Sequence, residues 1–191
     1  PERRHGALGL PFPSTDMRLG DLEDPDKEPA PGEPGEILVK GPQVFSGYLD
    51  APEENAEAFT SDGYFRTGDI GVNDDGFIYL SDRRKELILS GGFNVYPSQV
   101  EEAIRSMPGV KDVAVVGLPT DKGEEVTAAL VLDEGVNALT LEDVRAWAEK
   151  RISHYALPRS LAIVSELPYS QIGKVMRRRV RENLLKNLRD K

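Results

Sequence analysis

The chain of 191 residues contains no cysteine, which excludes disulfides, thiolate nucleophiles and cysteine zinc sites. Its two histidines, His5 and His154, stand without a partner constellation, and its single tryptophan, Trp147, falls in a helix-patterned stretch where a core role is expected. No apolar run approaches the ~18 residues that a membrane span needs. The opening segment, "PERRHGALGLPFP", has neither an initiating Met nor an apolar signal core. It reads as a cut into a longer protein, and the expected compartment is the cytoplasm. Positive charge is also short: 24 Lys and Arg face 33 Asp and Glu, a net charge of −9. With clear basic character only in the last helical stretch, general nucleic-acid binding is not expected.

What is present is 39% hydrophobic and 30% charged residues, the composition of a globular protein. The charge is unevenly spread. Residues 1–82 carry 6 basic and 18 acidic side chains, a balance of −12, whereas residues 83–191 carry 18 and 15, a balance of +3. Such a step marks a boundary between two units. The pattern of elements changes there too. Before it, "DLEDPDKEPAPGEPGE" is a Pro, Gly and acid-rich loop, "EILVKG" alternates like a strand, and "APEENAEAF" opens a short helix on a proline. "FRTGDIGVNDDGFIYLSDR" reads as a hairpin turning at Asp75-Gly76, a pair that favours a tight primed turn. After it, helices and strands alternate. "PSQVEEAIRSM" predicts a helix with Ser98 as N-cap and Glu101 as its capping-box partner, and "LTLEDVRAWAEKRIS" one capped by Thr140. "GVKDVAVVGLP", "EVTAALVLD" and "SLAIVSELP" predict three strands, and "KVMRRRVRENLLKNLRD" an amphipathic helix at the end. The expected fold class is α+β: an antiparallel β-rich unit over 1–82, then a small α/β domain over 83–191 with a three-stranded sheet flanked by helices.

Four places carry chemistry. Asp69, after Gly68, is either a turn-forming aspartate or a carboxylate that accepts hydrogen bonds from both hydroxyls of a ribose. Arg83 offers a planar donor fork that suits hydroxyl and phosphate oxygens, or a surface ion pair. Gly91-Gly92 follow an apolar strand and suit a turn needing positive φ, or a place where a thin ligand passes close to the backbone. In "YSQIGKVMRRRV", Lys174 sits after Gly173, and three readings compete: a phosphate loop, a nucleic-acid patch, or one catalytic lysine on a hairpin. The first lacks the upstream glycine of "GxxxxGK". The second fails because Arg177, Arg178 and Arg179 are consecutive and diverge by about 100° each on a helix. Those arginines suit a solvated face pairing with Glu182, or contacts to ligand phosphates.

"GEILVKGPQVFSGYLDAPEENAEAF", "GYFRTGDIG", "DRRKELILSGGFNVYPSQVEE" and "LPYSQIGKVMRRRVREN" occur in one order and spacing. Together they resemble the C-terminal core motifs of the adenylate-forming enzymes, the superfamily of acyl-CoA synthetases, luciferases and peptide-synthetase adenylation domains. The similarity is greatest to bacterial long-chain fatty-acid–CoA ligases. It implies that residues 1–82 are the last β subdomain of a large N-terminal domain and that 83–191 are its mobile C-terminal domain. It implies a ribose role for Asp69 and Arg83, a hinge at Lys85, a pantetheine-lining role in CoA binding for Gly91 and Gly92, and a catalytic role for Lys174 at the acid carboxylate and α-phosphate. The implied reaction joins a carboxylic acid, such as a fatty acid, to ATP and passes the acyl group from acyl-AMP to CoA. ATP, Mg2+ and CoA would be held mainly by the rest of the parent chain. The family's Ser/Thr/Gly-rich phosphate loop and its adenine-binding segment with an acidic metal ligand are not among these residues, so the chain alone is expected to be inactive. Bared apolar surface on residues 1–82 is expected to drive self-association. Two alternatives stay open: an acceptor that is a carrier-protein phosphopantetheine, and a non-catalytic binding or assembly module on the same fold.

Overall fold

The computed structural model describes residues 4–121, 123–136 and 138–189. The fold is α+β, and the chain divides between Lys85 and Glu86 into two compact units. No helix among the described residues is long and apolar enough to cross a membrane.

In the first unit four strands, β1 (Asp16–Gly20), β2 (Gly35–Lys40), β3 (Phe65–Asp74) and β4 (Phe77–Arg83), form an antiparallel sheet in chain order, with the helix α1 (Pro52–Ala58) between β2 and β3. Pro52 starts α1 because the missing N–H of proline is no loss in a first turn. At the β3–β4 turn Asp75 and Gly76 both take positive φ, 51° and 83°, the geometry that matches the twist of the flanking strands. Leu19, Ile37 and Ile78 form the small core on one face, with Met17 and Val39 against it. Leu38 and Ile70 are also fully buried. Leu10, Phe12 and Leu49 remain exposed on this unit.

The second unit begins with a two-stranded ribbon, β5 (Ile88–Ser90) and β6 (Phe93–Val95), followed by α2 (Pro97–Arg105). The strands β7 (Val110–Thr120), β8 (Gly123–Leu132) and β9 (Ser160–Ile163) form a three-stranded sheet, with β7–β8 antiparallel and β8–β9 parallel. The helix α3 (Leu141–Ala148) makes the crossover that the parallel pair requires. Its strands read as continuous apolar runs because both faces are covered. Val113, Val115, Ala128 and Leu130 pack with Ile104 and Val144 on one face. Ala114, Val116, Ala129 and Val131 pack with Val180 and Leu184 of α4 (Arg177–Arg189) on the other. Trp147 is partly buried against the first cluster and donates its indole N–H to the Ala103 carbonyl at 3.0 Å.

One expected cap is present and one is not. Thr140 Oγ1 accepts the Asp143 amide at 3.1 Å, and Asp143 Oδ2 accepts the Thr140 amide at 2.9 Å. The Thr140 hydroxyl, which donates to Asp143 Oδ2 at 2.6 Å, and then the Thr140 amide hold the Asp143 carboxyl below its ordinary value. A depressed carboxyl stabilises the fold above its unfolded pKa, and that contribution fades as the pH falls through the folded value. Thr140→Ala should cost about 1 kcal/mol in urea unfolding at neutral pH, and less at a pH where Asp143 is protonated. An equal cost at both would refute the charged cap. At α2, by contrast, Tyr96 holds the cap position, Pro97 begins the helix, and Ser98 lies inside it. The proline takes the first-turn position it favours, and Glu101 turns inward to become one of the few buried carboxylates.

Candidate functional site

The first cluster is produced by an irregularity in the ladder between β2 and β3. Leu38 pairs with Arg66 and Glu36 with Ile70, so one residue of β2 faces three of β3. Thr67, Gly68 and Asp69 are thereby pushed off the ladder as a bulge. Thr67 Oγ1 donates to the Ile37 carbonyl at 2.8 Å and accepts the Asp69 amide at 3.1 Å, which replaces the lost ladder bonds. Gly68 carries the strain with φ at 73°, a conformation that costs a side-chain-bearing residue more.

On the other side, β4 pairs Arg83 directly with Asp69, and their side chains meet at 3.0 Å between Arg83 Nε and Asp69 Oδ1. An open hollow of about 440 Å³ is lined by Thr67, Gly68, Asp69, Arg83, Arg84 and Lys85. Lys85 lies in a single 3-10 turn, Arg84–Glu86, that follows β4. Asp69, Arg83 and Lys85 are therefore neighbours, with a carboxylate able to accept from paired hydroxyls beside a guanidinium able to donate. Among the described residues no group of three or more His, Asp or Glu could hold a metal ion.

Beneath the bulge lies Glu36, a residue the strand pattern of "EILVKG" did not single out. It is 2% exposed. Its Oε1 accepts the Gly68 amide at 3.1 Å, and its Oε2 accepts Arg66 Nη2 at 2.9 Å, Arg66 Nε at 3.2 Å and Arg84 Nη1 at 3.5 Å. The available signal was a carboxylate directly before the apolar run Ile37, Leu38 and Val39, since a buried charge needs dedicated partners.

Gly91, Gly92 and Lys174 belong to the second unit. The two glycines form the turn of the β5–β6 ribbon with φ at 60° and 83°. Gly91 also borders an open hollow of about 390 Å³ with Thr120, Asp121, Glu124 and Arg159. A side chain at Gly92 would meet no atom within 4 Å, so backbone conformation rather than crowding requires the glycine.

Lys174 sits on a tight turn closed by Tyr169 bridging to Val175. The Ser170 amide donates to the Lys174 carbonyl at 2.8 Å, the Lys174 amide donates to Ser170 Oγ at 3.1 Å, and Gly173 turns the chain with φ at 74°. Tyr169 Oη donates to the Asp112 carboxylate of β7, which pushes the phenol pKa up and ties the turn to the sheet. The Lys174 side chain is exposed and makes no hydrogen bond or ion pair among the described residues.

The arginine run divides by role. Arg178 pairs with Glu182 at 2.9 Å on the solvated face. Arg177 instead turns inward as a structural clamp. Its Nε and Nη2 form a fork on Glu101 at 2.8 and 2.7 Å, and its Nη1 reaches Glu86. Glu101 also accepts the Val115 amide at 2.9 Å. The signal was the place of Glu101 on the apolar face of α2, beside Val100 and Ile104.

Comparison with known proteins bears on both units. The sequence model described as AMP-binding enzyme matches residues 1–49, and that described as AMP-binding enzyme C-terminal domain matches residues 99–174. The chain is 41% identical over 188 residues to a long-chain-fatty-acid–CoA ligase of Bacillus subtilis, covering 97% of this chain and 33% of the relative. It thus spans about a third of the length of such curated relatives. Among solved structures it is similar to ATP-bound MatB from Rhodopseudomonas palustris, with a TM-score of 0.84 and 38% identity over 96% of this chain and 36% of that one. It is also similar to o-succinylbenzoate CoA synthetase from Bacillus subtilis in complex with its acyl-adenylate intermediate, with a TM-score of 0.74 and 32% identity over 92% and 35% of the two chains. With both sequence models matched in chain order and the fold shared with these structures, the chain belongs to the family of AMP-binding, adenylate-forming enzymes.

Proposed function

We propose that this chain is the C-terminal part of an ATP-dependent acyl-CoA ligase, with a fatty acid as the favoured carboxylic acid. In the first half-reaction a carboxylate oxygen attacks the α-phosphorus of ATP, acyl-AMP forms and pyrophosphate leaves. In the second, the CoA thiol attacks the acyl carbon and AMP leaves. The observation that supports this reading best is the Asp69–Arg83 pair, set across two strands on a bulge that opens into a hollow. Asp69 would accept the ribose hydroxyls, and Arg83 would donate to the same nucleotide. Lys174 would place its ammonium at the α-phosphate, where negative charge builds in the first half-reaction. Gly91 and Gly92 would serve the second half by leaving backbone room for the pantetheine arm. The two roles exclude each other in time if both groups use one active site, so Lys85 would act as the hinge between them. Adenine, the β- and γ-phosphates and any metal would be held outside this chain, which alone would be inactive.

Pyrophosphate release by the full-length protein over a panel of carboxylic acids, with and without CoA, tests the reading. Acid-dependent release followed by CoA thioester is the expected result. Adenylate formation without transfer to CoA would favour a carrier-protein acceptor, and no release with any acid would favour a non-catalytic module. The hinge has its own test. Proline locks φ near −65° and removes a donor, so Lys85→Pro should leave acyl-AMP formation within about threefold of the parent and slow thioester formation about tenfold or more. Unchanged transfer would remove Lys85 from the hinge.

A further inference from the structure

We propose that Glu36 is a positioning residue that locks the Asp69 bulge to the turn carrying Arg84 and Lys85. Its functional consequence rests on the ribose role proposed above for Asp69. The two oxygens of one carboxylate do different work. Oε1 holds the Gly68 amide, one residue before Asp69, at 3.1 Å. Oε2 holds Arg66 and also reaches Arg84 at 3.5 Å, one residue before Lys85.

Arg66 is pinned a second time, because its Nη1 donates to the Glu57 carbonyl of α1 at 3.2 Å. Glu36 itself sits on β2, between flanking strands on both sides. A buried carboxylate serving donors on both β3 and the turn that follows β4 is a rigid junction, since either one leaving would strand charge in the interior. Asp69 and Arg83 have to meet a nucleotide with fixed spacing. Glu36 supplies that spacing from below, through the Gly68 amide and the Arg84 guanidinium rather than through the Asp69 and Arg83 side chains.

Glutamine separates this role from simple packing. It fills the same volume but has one acceptor oxygen where the carboxylate has two, so it serves the Gly68 amide or the guanidinium groups and not both. In the full-length protein, Glu36→Gln is expected to speed hydrogen exchange of the Gly68 amide and to raise the KM for ATP about tenfold each, with kcat changed less. In the double variant with Arg84→Ala, the effects on KM should be less than additive, as expected for groups sharing one contact.

If Glu36→Gln unfolds the protein, Arg84→Ala carries the same test, because it releases the second arm and leaves the buried carboxylate paired with Arg66. Faster Gly68 exchange with an unchanged KM would support the junction while removing Asp69 from nucleotide binding. Unchanged Gly68 exchange in a folded Glu36→Gln variant would overturn the junction, whatever happens to KM.

Discussion

Lys174→Ala in the full-length protein is expected to lower acyl-AMP formation at least about a hundredfold, while thioester formation from supplied acyl-AMP stays within about threefold. The asymmetry follows from where charge develops. Attack of a carboxylate on the α-phosphorus gathers negative charge on oxygens that one ammonium, fixed in a site closed to water, stabilises by about 3 kcal/mol or more. The second half-reaction moves no charge onto phosphorus in the same way. The turn is built to present the side chain, with the backbone of Lys174 held by Ser170 and the side chain left exposed. Lys174→Arg tests geometry, because it keeps the charge but spreads it over a planar fork. Rates for the two half-reactions, measured separately by pyrophosphate release and by thioester formation from synthetic acyl-adenylate, decide the matter. Equal losses in both would make Lys174 a structural residue.

The second large effect is on stability. Glu101→Ala is expected to destabilise the second unit by about 3 kcal/mol, because it takes the forked partner from Arg177 and leaves the Val115 amide without its acceptor. Whole domains are stable by only about 5–15 kcal/mol, so this variant approaches unfolding. The pair itself need not stabilise the fold: two buried charges lose hydration on folding, and apolar replacements of similar size often do as well. Glu101→Leu combined with Arg177→Met should therefore recover most of the loss. Urea unfolding of the single and double variants measures the difference. A single-variant loss below about 1 kcal/mol would show that water and Glu86 together satisfy the Arg177 guanidinium. Arg177 lies three residues after Lys174, at the first position of α4. The same clamp thus anchors the chain just beyond the Lys174 turn to α2 and to Glu86.

Elements whose causes are local were legible in the order of residues. Asp75-Gly76 specified a turn because both positions need positive φ, and the observed angles are 51° and 83°. Thr140 and Asp143 specified a cap because their spacing lets each side chain reach the other's amide. The valine- and alanine-rich runs specified strands covered on both faces. Gly173-Lys174 specified a turn, since positive φ belongs to glycine. The same local reading failed at Ser98 because capping depends on where the helix starts, and Pro97 claimed the first turn.

The partners of buried charges were decided only by tertiary structure. Glu36 lies 32 residues from Gly68 and 48 from Arg84, and Glu101 lies 76 from Arg177. No period or motif encodes which distant donor a carboxylate will meet, because that is set by strand register and helix packing. The β2–β3 register displaces Thr67 to Asp69 into a bulge and brings Asp69 across from Arg83. The sequence by itself determined which residue types were available for the chemistry and which short turns would carry them, through φ preferences and side-chain reach. The tertiary structure decided how those turns are held, because a charge removed from water has to find its counterpart wherever the folded chain brings one within about 3 Å.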